Sequence, residues 1–140
     1  MINTNLSDKI KLIERKKLID ERGWFLKTLT GKEEGLPNLT GEIYTVCAYP
    51  NQIRGGHYHK LAKEWFTLLS GKAIMRLKDI ITHEELCIEL DMNNPVTVAI
   101  PSLIAHQFEN NSKNEFLLLA YTDILYDPED TIPFLFKSPE

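Results

Sequence analysis

The chain has 140 residues, 43% of them hydrophobic and 26% charged, and a formal net charge of -4. That length suits a single domain spanning residues 1–140 with one sizeable core, and the composition is that of an ordinary soluble globular protein. The acidic balance excludes a nucleic-acid partner, because phosphate contacts need a basic face, and no run approaches the ~20 apolar residues of a membrane helix. Nothing in Met1–Asn5 reads as a secretory signal, so a cytoplasmic protein is expected.

Short apolar runs separated by turn residues fill the chain, which is the pattern of β-structure. In chain order the expected strands are Ile10–Leu18, Gly23–Leu29, Gly41–Tyr49, Gly56–His59, Glu64–Ser70, Lys72–Asp79, Glu85–Leu90, Thr97–Ile100, His106–Asn110 and Glu115–Asp123. Asp20–Gly23, Gly35–Asn38, Ser70-Gly71, Met92–Pro95 and Asn110–Asn114 supply the turns. The basic triplet Arg15-Lys16-Lys17, flanked by acidic residues, reads as a solvated strand edge. His83 falls at a hairpin tip, exposed and structural. No long stretch carries a 3.6-residue apolar period, so an all-β sandwich or barrel is expected.

After the strands, Tyr126–Asp130 breaks the pattern, and the apolar peptide Thr131–Phe136 is expected to pack back on the barrel or on a neighbouring subunit. Cys47 and Cys87 each sit in an apolar run and read as buried free thiols. Neither has a second cysteine nearby, which excludes a CxxC zinc site.

Three of the four histidines fall in one arrangement. His57-Tyr58-His59-Lys60-Leu61-Ala62-Lys63-Glu64 reads H-x-H-x4-E. Residues i and i+2 of a strand share a face, so His57 and His59 point together, and the turn after His59 can bring Glu64 level with them. Pro101–Asn110 reads P-x4-H-x3-N and supplies His106 from another strand. Three imidazoles and one carboxylate suit a divalent transition metal such as Zn, Mn, Fe or Ni, with a coordination position left open. No organic cofactor is expected.

These segments resemble the two motifs of the cupin superfamily, G-x5-H-x-H-x3,4-E-x6-G and G-x5-P-x-G-x2-H-x3-N. Two glycines are replaced, by Asn51 and Leu103. Asn tolerates the left-handed conformation; Leu103 must turn differently or accept strain. The resemblance implies a double-stranded β-helix, a jelly-roll-like barrel, here with extra N-terminal strands. Ile53-Arg54-Gly55-Gly56-His57-Tyr58-His59-Lys60 and Asp20-Glu21-Arg22-Gly23-Trp24-Phe25 are similar to segments of the dTDP-4-dehydrorhamnose 3,5-epimerases. His57-x-His59-Lys60 also resembles the nucleotide-sugar 3,4-ketoisomerases, and Glu64 with His59 resembles the metal-binding cupin domain of capsular-sugar epimerase/reductases.

The resemblance implies an epimerase or ketoisomerase of a nucleotide-linked 4-keto-6-deoxy sugar, used in surface-polysaccharide biosynthesis. It assigns His57 as base, with His59 as the second catalytic residue. It gives diphosphate contact to Arg54 and Arg22, nucleobase stacking to Phe25 or Trp24, and a rim contact to Lys60. Tyr44 and Tyr49 are both placed to line the cavity, and parity does not choose between them. The catalytic tyrosine position of the epimerases falls at Ala120, with Tyr121 facing the other way. A homodimer pairing through N-terminal strands is implied as well. Two other readings stand beside this one: a metal-dependent cupin of another class, a dioxygenase or metalloisomerase, and a non-catalytic sugar-nucleotide-binding cupin.

Overall fold

The computed structural model describes residues 6–9 and 13–137. Leu6–Lys9 form a four-residue helical turn, α1, and the rest of the regular structure is almost entirely strand. In order these are β1 (Leu18–Asp20), β2 (Gly23–Leu29), β3 (Glu42–Ala48), β4 (Ile53–His59), β5 (Glu64–Ser70), β6 (Lys72–Asp79), β7 (Glu85–Asp91), β8 (Thr97–Ile100), β9 (Ile104–Glu109), β10 (Phe116–Thr122) and β11 (Thr131–Pro133). They form two antiparallel sheets, ordered β1-β2-β3-β10-β5-β8 and β11-β4-β9-β6-β7. This is the cupin barrel, with β1 and β2 as the extra N-terminal strands.

Period-two alternation decides which side chains face inward. Along β5 Glu64, Phe66 and Leu68 are buried, along β6 Ala73, Met75 and Leu77, and along β10 Phe116, Leu118, Ala120 and Thr122. Facing each other across the sheets, their apolar members merge into one cluster with Val46, Leu90, Ile100 and Phe108. Burial of each large member contributes about 1.5–3 kcal/mol.

Both replaced motif glycines keep the glycine conformation. Asn51 has φ 65° and Leu103 φ 66°, so Leu103 holds a left-handed backbone at a cost of about 1–2 kcal/mol. Its N–H donates to the carbonyl of His59 at 2.7 Å, and its own carbonyl accepts from Ile80. These bonds hold the strained turn against the site strand.

Three expectations are corrected. Of the expected strand Ile10–Leu18, residues 10–12 lie outside the described set, residues 13–17 are exposed and form no strand, and only Leu18 enters β1. Arg15-Lys16-Lys17 is therefore exposed chain, not a strand edge; Arg15 pairs with Glu33 at 3.4 Å. Cys47 is buried but Cys87 is exposed, because alternation on edge strand β7 turns it away from the core. His83 is exposed at the β6–β7 turn, at φ 67°. The tail packs on its own barrel: β11 pairs with β4, and Phe136 is buried.

Candidate functional site

A backbone irregularity in β4 builds one wall of the site. Gly55 pairs with Gln107 but His57 pairs with His106, so β4 carries one extra residue there. Arg54 and His57, three apart, would face opposite sides of a regular strand; the bulge returns both to the inner face. Gly55 and Gly56 take φ 87° and 84° to make it, and a Cβ on Gly55 would stand 3.0 Å from the carbonyl oxygen of His106. Glycine is needed at Gly55 for both reasons.

The inner faces of β4, β5 and β9 then bring His57, His59, Glu64 and His106 together, with one potential ligand atom from each lying within 4.8 Å of the others. Glu64 and His106 are almost wholly buried. His59 Nε2 lies 2.9 Å and His106 Nε2 3.3 Å from Glu64 Oε1, and the Tyr44 hydroxyl donates to Oε2 at 2.8 Å. His59 Nδ1 donates to the carbonyl of Asp130 at 3.0 Å and His106 Nδ1 to that of Ile104 at 3.1 Å. A carbonyl only accepts, so in the neutral rings both protons sit on Nδ1 and both Nε2 lone pairs face the carboxylate. With both rings neutral, the buried Glu64 Oε1 has no hydrogen-bond donor among the described residues.

Two lone pairs and a carboxylate oxygen converging on one point form a cation's site, and the backbone carbonyls behind the rings are the usual outer partners of metal-binding histidines. The donor set therefore fits a divalent transition metal. Protonation answers the same imbalance when no cation is held. Burial opposes an imidazolium at His59, but the hydrogen bond and charge of Glu64 prevail and raise its pKa. Burial likewise opposes the Glu64 carboxylate, but hydrogen bonds from His106 and His59 hold its pKa well below the usual range. The Tyr44 hydroxyl is pushed well above its ordinary pKa by burial and the neighbouring Glu64 charge.

His57 differs from the other two histidines. Its ring meets His106 at 4.8 Å and His59 at 5.0 Å between centroids, but neither nitrogen has a hydrogen-bond partner among the described residues. Burial, reinforced by the neighbouring histidines, pulls its pKa down to about 4. It is neutral at pH 7, with a lone pair open to the cavity.

That cavity encloses about 460 Å³. Val46, Phe66, Phe108, Leu118 and Phe25 line its apolar part, and Arg22, Arg54, Lys27 and Glu42 its polar wall. Arg22 reaches Asp20 through Nη2 at 2.7 Å and Nε at 3.2 Å, and Arg54 Nη1 lies 3.9 Å from the same carboxylate. Those hydrogen bonds lower the Asp20 pKa to about 2, leaving the two guanidiniums with one balancing charge.

The expected residues His57, His59, Glu64, His106, Arg54, Arg22 and Phe25 all line this cavity; Lys60 and Trp24 do not. Lys60 is exposed beyond the end of β4, and Trp24 faces the other side of β2, under the Lys17 ammonium at 4.3 Å. Tyr44, not Tyr49, lines the cavity, its ring 5.1 Å from that of Phe25. Ala120 is fully buried in the core and Tyr121 packs outside on Trp65, so no β10 tyrosine reaches the site. The contributions of Asp130 and of the Lys27–Glu42 ion pair, 2.8 Å long, have no local sequence signal.

Residues 18–132 match the family model described as Polysaccharide biosynthesis C-terminal domain. The spore coat polysaccharide biosynthesis protein SpsL of Bacillus subtilis (strain 168) is 25% identical over 127 residues, covering 87% of this chain and 83% of that protein. Among solved structures, the capsular polysaccharide assembling protein CapF from Staphylococcus aureus superposes with a TM-score of 0.78 at 20% identity, over 89% of this chain. The chain spans only 34% of CapF. QdtA, a sugar 3,4-ketoisomerase from Thermoanaerobacterium thermosaccharolyticum solved in complex with TDP, superposes with a TM-score of 0.58 at 26% identity, over 86% of this chain and 84% of that one. With a matched span covering most of its length and the cupin pocket in place, this chain belongs to the polysaccharide biosynthesis C-terminal domain family.

Proposed function

We propose that this protein is a sugar-nucleotide epimerase or ketoisomerase acting on a nucleotide-linked 4-keto-6-deoxy sugar in surface-polysaccharide biosynthesis. The observation that carries this is one neutral, unbonded imidazole, His57, standing beside a cation site within a cavity walled by two arginines and an aromatic ring. The likeness to QdtA, a ketoisomerase seen with TDP, supports the same substrate class.

Both reactions remove a proton from the carbon beside a ketone, so they need a base that is unprotonated at neutral pH and a stabilised oxygen. His57 takes that proton. Glu64, His59 and His106 are fixed by Tyr44, Asp130 and Ile104 and would hold a divalent metal, leaving the His57 lone pair free for the proton. Such an ion would supply Lewis-acid polarisation of the ketone oxygen. Arg54 and Arg22 bind the diphosphate through charge-assisted hydrogen bonds, and Phe25 stacks on the base or sugar face. The protein works as a cytoplasmic homodimer, with exposed edge strand β1 as the pairing edge.

Incubation with TDP- and UDP-linked 4-keto-6-deoxy sugars in deuterated water is expected to place deuterium on the ring carbon beside the ketone. No exchange across that panel rejects the proposal. Ala120, where the epimerases have their tyrosine, favours a second reading, a non-catalytic sugar-nucleotide-binding barrel. Tight binding without exchange selects that reading, and turnover ends it.

A further inference from the structure

His59 ends β4 and Glu64 begins β5, and these strands belong to different sheets. No strand pairing sets the spacing between the two residues; the four-residue turn 60–63 does. That turn contains neither glycine nor proline, and Lys60, Leu61 and Lys63 are exposed, so packing holds it only through buried Ala62. Its backbone N–H groups are held from the far end of the chain instead. Asp130 Oδ1 accepts from Lys60 and from Leu61, each at 2.9 Å, and Asp130 Oδ2 accepts from Ala62 at 3.1 Å. Asp123 Oδ1 takes the Lys63 N–H at 2.9 Å. The carbonyl of Asp130 fixes the His59 ring as well.

We infer that Asp130 is a positioning residue of the pocket: its carboxylate sets the turn that places His59 against Glu64, and its carbonyl sets the His59 tautomer. Successive N–H groups make an anion cradle, and hydrogen bonds donated to an ionised carboxylate are roughly twice as strong as neutral ones. Asp130 is itself buried. It is anchored on both sides, by the Asp127 side chain accepting from the Glu129 N–H and by β11 pairing Thr131 with His59. The C-terminal segment is therefore part of the site's construction, and the barrel motifs alone do not complete it.

This inference rests on the proposed metal site, and its test separates the two. Asp130→Asn keeps the shape but turns an amide N–H toward backbone donors; Asp130→Ala removes the cradle; Glu129→Gln, exposed next door, is the control. With Co²⁺ as the probe, Asp130→Asn and Asp130→Ala are expected to bind at least about tenfold more weakly, the usual loss for an outer partner of a metal ligand. Their bound Co²⁺ should show an altered absorption spectrum, the apo-proteins should stay folded by circular dichroism, and the control should match wild type. Unchanged Co²⁺ affinity and spectrum in Asp130→Asn overturns the inference, whether or not the alanine variant folds. If wild type takes no Co²⁺, the metal reading fails, and the ring ¹⁵N shifts of His59, recorded at a pH where the ring is neutral, decide the positioning role. Loss of the Nδ1–H tautomer in Asp130→Asn then supports it, and an unchanged tautomer overturns it.

Discussion

His57 and His106 are both imidazoles of the same pocket, yet their surroundings divide the work. His106 is buried, its Nδ1 tied to a backbone carbonyl and its Nε2 aimed at Glu64, whereas neither His57 nitrogen has a hydrogen-bond partner among the described residues. His106→Ala is therefore expected to abolish stoichiometric metal, read by elemental analysis. His57→Asn should keep most of the metal and lose at least about a hundredfold in deuterium exchange, the usual share of a general base. Equal metal loss in both would show that the two are equivalent ligands. The low His57 pKa also has a pH signature in metal-free protein. The unfolded chain takes up a proton near 6.5 that folded His57 refuses until about 4. Stability is thus full above 6.5 and falls as the pH drops toward 4, by about 2 kcal/mol after allowance for partial exposure. His59, with its raised pKa, acts oppositely, its contribution fading as the pH rises past 6.5. Urea denaturation from pH 7 to pH 4 should show the acid-side loss, and His57→Asn should flatten it.

At the level of elements, the β4 bulge and edge strand β7 each make a specific demand. Gly55→Ala forces a side chain onto a left-handed residue beside the His106 carbonyl and is expected to cost about 2 kcal/mol or more in thermal or urea unfolding. Because the bulge puts Arg54 and His57 on one face, the same change should also weaken metal binding. Alternation on β7 exposes Cys87, whereas burial pushes the Cys47 thiol up to about 11. Native protein at pH 8 should release one equivalent in a thiol assay within minutes, and denatured protein two. Two fast equivalents in the native state would contradict the strand assignment.

For the whole molecule, the pocket joins both sheets and the C-terminal segment, so an ion that binds it should stabilise the fold as a unit. At a thousandfold excess over Kd the gain is about 4 kcal/mol, roughly a 10 °C rise in Tm for a domain of this size. Calorimetry with and without chelator measures it. A chelator-insensitive Tm in protein verified to contain metal would mean that the pocket is not coupled to global folding.

Much of this was legible without coordinates. Short apolar runs bounded by turn residues gave most strands to within a residue or two, since strands bury apolar side chains and turns need Gly, Pro, Asn or Asp. The i, i+2 spacing of His57 and His59, with Glu64 and His106 at motif distances, identified the cluster. The left-handed turn at Asn51 followed from the glycine it replaces, whereas at Leu103 the fold chose strain over a different turn. What only the tertiary structure decided involves register or contact between distant segments. The bulge that aligns Arg54 with His57 is a property of pairing with β9, so the parity of β4 alone hides it. The choice of Tyr44 over Tyr49, the exposure of Cys87 and the exclusion of Lys60 and Trp24 from the cavity depend on which face of a strand the opposite sheet covers. Asp130 meets the His59–Glu64 turn from about 70 residues away, and no local pattern encodes such a hydrogen bond. The four residues of the cluster are written in the chain; the orientation that brings them together comes from the fold.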